Sequence, residues 1–218
     1  MKKESYFTSA TIQNKAKELL TLTDAFRRVG DGIRLHTEHA ALLVLDMQEY
    51  FIKENSHAFV PSATAIIPGI QALISTFSEA KRPIIFTRHT NDTDNARQMA
   101  LWWKALLKPG TPESEIISEF NTTRGIVINK HQYDAFYDTR LETVLHTHGV
   151  GEIVITGVMT HLCCETTARS AFMRGFGVFF VVDGTATYNE AFQRATILNL
   201  SHGFANPVQV NDILKAFQ

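Results

Sequence analysis

Two kinds of apolar segment alternate along this chain. Six short runs carry consecutive apolar residues and then meet a polar stop: ALLVLD (41 to 46), PIIFTR (83 to 88), GIVINK (125 to 130), EIVITG (152 to 157), VFFVVD (178 to 183) and the weaker PVQV (207 to 210). Runs rich in Val and Ile, with no polar residue at alternate positions, suit strands covered on both faces, the habit of parallel sheets. Elsewhere the apolar residues recur at helical spacing. Over 8 to 29 the stripe Ile12, Ala16, Leu19, Leu20 and Phe26 ends at Gly30 and predicts an amphipathic opening helix packed outside the main domain. Over 68 to 81, Ile70, Leu73, Ile74 and Phe77 share a face, with Pro68 in the expected first turn. Thr139 and Glu142 have capping-box spacing ahead of a helix that stops at Gly149. A further helix is expected from about Cys163 to Arg174, stopping at Gly175.

Strands alternating with helices imply right-handed βαβ units and an α/β fold, a three-layer α/β/α sandwich of Rossmann-like type. With 218 residues, 44% of them hydrophobic, the chain suits one sizeable core. No repeat, low-complexity tract or Pro/Gly-rich linker divides it. The expected organisation is an N-terminal helical extension over 1–30 followed by one domain over 31–218.

Charge and cysteine content narrow the function classes. The formal net charge is -1 and no long Lys/Arg run occurs, so neither nucleic acid nor an anionic membrane is an expected partner. No stretch approaches the roughly 20 apolar residues of a membrane span, and MKKESYFTSATIQNK has no signal-peptide core, so a cytoplasmic location is expected. The only two cysteines, Cys163 and Cys164, are neighbours and cannot staple distant segments, which fits a reducing compartment.

In open parallel sheets ligands bind beyond the carboxyl ends of the strands. Asp46 closes the first apolar run, Lys130 closes the third, and Cys163 follows the fourth in the turn GVMTHLCC. The topology therefore brings an acid/base, a cation and a nucleophile to one edge. The helix expected to begin near Cys163 would favour its thiolate through unpaired N–H groups and the helix dipole. Asp46 beside Lys130 could take and return a proton. On composition alone, each has a plainer role: the cysteine as core filler, the aspartate as a cap, the lysine as a solvated surface group.

Three ordered motifs decide between these readings. HAALLVLDMQEYF, NKHQYDAFYDTRLETVL and ITGVMTHLCCETTARSAFMRGF followed by VVDGTATY resemble the isochorismatase-like (cysteine hydrolase) superfamily over about residues 38 to 210. The resemblance implies a six-stranded parallel sheet in the order 3-2-1-4-5-6 and a catalytic triad of Asp46, Lys130 and Cys163. Counting from Gly157 assigns the nucleophile to Cys163, not Cys164. It also implies a non-proline cis peptide between Val158 and Met159, aiming the backbone N–H groups of Met159 and Cys163 at an oxyanion.

Two branches of that superfamily are in play. True isochorismatases share DMQEYF, Tyr133 and the WW…PGTP stretch, but typically lack the cysteine and carry a tyrosine where this chain has Met159. The leading expectation is therefore cysteine-dependent hydrolysis of a C–N bond in a small amide or carbamoyl compound, through a thioester. The alternative is vinyl ether hydrolysis by Asp46 without the thiol. A redox or binding role for the adjacent dithiol ranks last, since a disulfide between neighbours is strained. The expected substrate-binding residues are Phe51, Arg88, His89, Trp103, Tyr133, Thr160 and His161, on or near loops 48 to 62 and 89 to 115. FTRHTND has His89 but no Asp two residues before it, unlike the metal-binding nicotinamidases, so no metal is expected, and no cofactor. The partner is a small-molecule substrate, and the resemblance with Trp102, Trp103 and Phe172 suggests a homodimer or higher homo-oligomer.

Overall fold

The computed structural model describes residues 2–25, 34–103 and 105–218. Its centre is a six-stranded sheet in the order β3-β2-β1-β4-β5-β6. The strands are β1 (Ala40–Leu45), β2 (Ile84–His89), β3 (Ile126–Lys130), β4 (Glu152–Val158), β5 (Gly177–Ala186) and β6 (Asn206–Val208). Every pairing is parallel. All six apolar runs thus form strands, and β1 is buried at every position, as a central strand covered on both faces must be.

Alternate residues of β1 feed two cores. Ala40, Leu42 and Val44 join one cluster with α1 (Ile12–Thr21), α3 (Ala63–Glu79) and α8 (Val210–Ala216), while Ala41, Leu43 and Leu45 join another with α5 (Leu141–Thr147) and α6 (Glu165–Met173). The remaining long helix, α7 (Glu190–Gly203), sends Ile197 into the first cluster and Leu200 into the second.

Four local expectations need correction. The opening helix covers Ile12–Thr21, not 8 to 29, and it does not stand outside the domain: Ile12, Ala16, Leu19 and Leu20 are buried in the same cluster as Leu42. Its amphipathic stripe needs an apolar partner, and the sheet face beside α3 supplies one. Phe26 to Gly30 lie outside the described residues. The helix read over 68 to 81 begins earlier, at Ala63 after Pro61 and Ser62, so Pro68 sits inside it and removes one intrahelical bond. The expected capping box at Thr139 does not form: Arg140 is the N-cap, Thr139 Oγ1 donates to the Ala135 carbonyl, and Glu142 binds Arg174. The helix expected from Cys163 starts at Glu165, preceded by a π-helical turn over Thr160–Cys164.

One glycine sets how closely β4 approaches β1. Gly157 has φ +110 and faces Leu45, whose carbonyl oxygen would lie 2.0 Å from an added Cβ. Only glycine fits, and the close approach brings the turn after β4 up to the residue that follows Leu45.

Candidate active site

That residue is Asp46. It leaves β1 with φ 51, a left-handed conformation that Asp tolerates better than most side chains. Thr87 of β2 holds it from the side: Thr87 Oγ1 donates to Asp46 Oδ1 at 2.6 Å and accepts the Asp46 N–H at 3.1 Å. Lys130 ends β3, two strands away from β1, and its long stem lets Nζ reach across β2 to within 2.8 Å of Asp46 Oδ2. Both side chains are fully buried. That contact is an ion pair set off the hydrogen-bonding direction, so Oδ2 keeps an unspent lone pair.

The ammonium is otherwise saturated. It donates to the carbonyls of Gln132 (2.8 Å) and Tyr133 (3.3 Å) and lies 3.4 Å from Cys163 Sγ. Burial alone would lower the Lys130 pKa, but the charge and hydrogen bonding of its partner Asp46 outweigh it and raise the pKa, so the lysine stays a cation. Asp46, Lys130 and Cys163, which span 117 positions of the sequence from first to last, therefore meet at one carboxyl edge of the sheet.

The state of the thiol differs from the sequence expectation. Burial, reinforced by the Asp46 charge and opposed by Lys130, pushes the Cys163 pKa up to about 12. α6 begins at Glu165, two residues past the cysteine, and the field at its start does not offset the burial of the thiol. Cys163 rests as a thiol next to a carboxylate. Its neighbour Cys164 packs into the second core cluster with no exposure, and its pKa is also raised by burial. The peptide between Val158 and Met159 is cis.

A pocket of about 470 Å³, its open mouth included, stands over the cysteine. Cys163 and Met159 form its floor; Phe51, His89, Met99, Trp103 and Tyr133 are among its walls. Burial and the nearby Lys130 charge hold the His89 pKa down to about 4, so the ring is neutral, and its Nε2 faces Asn91 Oδ1 at 2.7 Å. Trp103, just past the short α4 (Met99–Trp102), donates its indole N–H to the Tyr133 hydroxyl at 2.8 Å.

Three expected contacts fall elsewhere. Arg88 alternates with His89 along β2 and turns away to Glu115 and Asn129. His161 stacks on Phe192 with ring centroids 4.2 Å apart and bonds Thr187, outside the pocket lining, and burial lowers its pKa to about 4. Thr160 is fully buried with its hydroxyl unpartnered, and it does not line the pocket. Sequence reasoning missed Thr87, Asn91 and Met99. Thr87 and Asn91 each stand two residues from His89, so strand alternation there was the available signal; Met99 had none.

Among the described residues no group of three His, Cys, Asp or Glu could hold a metal ion, and no helix is long and apolar enough to cross a membrane. A six-stranded parallel sheet with a buried Asp, Lys and Cys under a small pocket defines a Rossmann-like α/β hydrolase. The isochorismatase domain description matches residues 40–212, and the chain belongs to the isochorismatase family of hydrolases. It is 40% identical over 182 residues to Nicotinamidase 3 of Arabidopsis thaliana, covering 81% of this chain and 88% of that protein. It is 32% identical over 160 residues to Enterobactin synthase component B of Escherichia coli K12, covering 70% of this chain but only 54% of that longer protein. Among solved structures, a cysteine hydrolase from Pseudomonas syringae pv. phaseolicola shares the fold with a TM-score of 0.80 at 24% identity, covering 85% of this chain and 95% of that one.

Proposed function

We propose that the protein hydrolyses the C–N bond of a small, neutral amide through a thioester on Cys163. The observation that carries this reading is the thiol held 3.4 Å from Lys130 Nζ, with the Asp46 carboxylate paired to the same ammonium at 2.8 Å and the pocket opening over the cysteine. Asp46 takes the thiol proton as the amide docks, and the sulfur attacks the carbonyl carbon. A tetrahedral oxyanion forms, and the N–H groups of Met159 and Cys163 are its proposed donors. Asp46 returns the proton to the leaving amine as the C–N bond breaks. It then accepts a proton from water, whose oxygen attacks the thioester carbon; the C–S bond breaks to release the acid, and Asp46 returns that proton to the sulfur, restoring the thiol and the carboxylate. Lys130 keeps Asp46 anionic and oriented throughout.

Neutral substrates are favoured over the dianionic isochorismate because none of the described lining residues carries a charge: Lys130 is committed to Asp46, and Arg88 faces Glu115. The relationship to a nicotinamidase supports the same choice. A panel of cyclic and carbamoyl amides tested beside isochorismate decides, with intact-protein mass measured during turnover. Turnover of an amide with an acyl increment on the chain is the expected outcome. Cleavage of isochorismate by a Cys163→Ala variant would move the protein to the vinyl ether branch.

The expected self-association has its physical motive in exposed Leu101 (82%), Trp102 (79%) and Phe172 (50%). Trp103 does not contribute, being turned onto Tyr133. Sedimentation at micromolar concentration tests it, a strict monomer refuting it.

A further inference from the structure

The first residues of the chain lie outside the isochorismatase match, which begins at residue 40, yet a line of contacts joins them to the turn that carries Cys163. Residues 2–7 form an irregular arm before α1, and it is fixed on both sides. The Glu4 N–H donates to the Tyr188 carbonyl at 2.7 Å, and the Phe7 N–H donates to Ser62 Oγ at 3.0 Å. Between them Tyr6 is buried and its hydroxyl is used twice, accepting the Thr187 N–H at 2.9 Å and donating to Gln193 Oε1 at 2.9 Å. Gln193 cannot turn, because its Nε2 donates to the carbonyls of Val182 (3.2 Å) and Thr185 (3.4 Å). Burial, opposed by the Thr187 bond, raises the Tyr6 pKa, so the hydroxyl keeps its proton.

Thr187 passes the constraint on. Its Oγ1 lies 2.5 Å from His161 Nδ1, and the His161 ring is stacked on Phe192 of α7 with the two planes 5° apart. His161 belongs to the π turn Thr160–Cys164, so a ring clamped on two sides limits how that turn can rotate. Tyr6, Thr187 and His161 do not line the pocket. Their bearing on the chemistry is geometric. Cys163 Sγ has to stay beside Lys130 Nζ, 3.4 Å away, and beside the carboxylate paired to that ammonium. Displacing a reacting atom by about 1 Å can cost about a hundredfold in rate.

We propose that Tyr6 is a positioning residue for the turn that carries Cys163: by fixing Thr187, and through it the ring of His161, the N-terminal arm holds Cys163 Sγ in register with Asp46 and Lys130. The assignment rests on the thiol reading above. Removing the Tyr6 hydroxyl leaves the Thr187 N–H and Gln193 Oε1 buried without partners, so both groups shift to find new ones, and Thr187 moves His161 with it.

The test uses Tyr6→Phe, which keeps the ring, with Thr187→Val, which removes the hydroxyl facing His161, and Thr187→Ser, which restores it. All are assayed on an accepted amide well below their unfolding temperatures. Tyr6→Phe and Thr187→Val should each lower kcat by about ten- to hundredfold while KM stays within about twofold. Thr187→Ser should recover most of kcat, and the double variant Tyr6→Phe/Thr187→Val should be little slower than either single one, as expected of two links in one chain. An arm that only stabilised the fold would lower the unfolding midpoint and leave the kcat of folded protein unchanged. That result overturns the inference, as do a loss carried by KM, additive effects, or no recovery in Thr187→Ser. If Tyr6→Phe does not fold, the two Thr187 variants decide. A second readout needs no substrate: the rate at which iodoacetamide alkylates Cys163 at neutral pH, followed by intact-protein mass in a Cys164→Ala background. This rate should fall in step with kcat, since the thiol must still give its proton to Asp46. If the wild type hydrolyses no amide, the functional reading falls and the alkylation rate alone decides. Folded variants alkylated as fast as their Cys164→Ala parent, or faster, overturn the assignment of Tyr6.

Discussion

Asp46, Lys130 and Cys163 sit at the ends of β1 and β3 and just past β4, and all three are buried. Met99, Trp103 and Leu107 belong to the long connection after β2, which among its described residues holds the four-residue α4 and two short 3-10 turns. The floor inherits its geometry from strand register; the wall is held by individual contacts, such as Trp103 on Tyr133 and Asn91 on His89. The same contrast appears in exposure. Met99 and Trp103 turn into the pocket while Leu101 and Trp102, between them, face outward at 82% and 79% exposure. On the proposed reading the reacting groups stand on the sheet and much of the pocket wall on a connection, so substitutions on the two parts should behave differently.

The largest difference is expected at the floor. Cys163→Ala should reduce kcat/KM by at least about a thousandfold, whereas Cys164→Ala, one residue away but in the core, should keep most activity and lose about 1 kcal/mol of stability. Steady-state assays with any accepted amide, beside urea unfolding, check both. A pair of variants that behaved alike would dissolve the assignment by register.

Lys130→Met should abolish turnover and also destabilise by about 3 to 5 kcal/mol, because it leaves Asp46 as a buried carboxylate without a counter-charge. Equilibrium unfolding measures the second effect. Adding Asp46→Asn to it should restore much of the stability and none of the activity.

Stability should also fall on acidification. His89 and His161 have folded pKa values of about 4, below the ordinary 6.5. Between those values the unfolded chain binds more protons, so stability present above about pH 6.5 is lost as pH falls towards 4. His89, the more buried, contributes up to about 3 kcal/mol of this loss, and partly exposed His161 less. Denaturant midpoints at pH 7.5 and pH 4.5 should converge in His89→Gln relative to wild type.

The smallest effect belongs to the wall. Met99→Ala should raise KM by about fivefold with little change in kcat, since the methionine shapes the pocket and touches no reacting atom. A fall in kcat as large as that of Cys163→Ala would show that wall and floor are not separable.

Much of this was legible beforehand. Unbroken apolar runs marked all six strands, and a polar residue at a strand end, Asp46 or Lys130, marked the edge over which the pocket opens. The position of Cys163 followed from counting within one motif. What was not legible arose from contacts between segments distant in sequence. Arg88 looked like a pocket cation until Glu115 and Asn129 claimed it. His161, two residues from Cys163, faces Phe192 instead of the pocket because the π turn rotates it away. Thr87, which grips Asp46 through two hydrogen bonds, looked like any other strand residue.

Local pattern alone was enough to set strand identity, parallel pairing and the end of the sheet that carries chemistry, because burial on both faces demands continuous apolar runs and helical crossovers demand one direction of travel. Tertiary structure alone decided the protonation of the cysteine and the shape of the pocket. Both depend on how completely water is excluded around Cys163 and on which charges stand within a few ångströms of it, and those quantities exist only after β1, β3 and the turn after β4 have met.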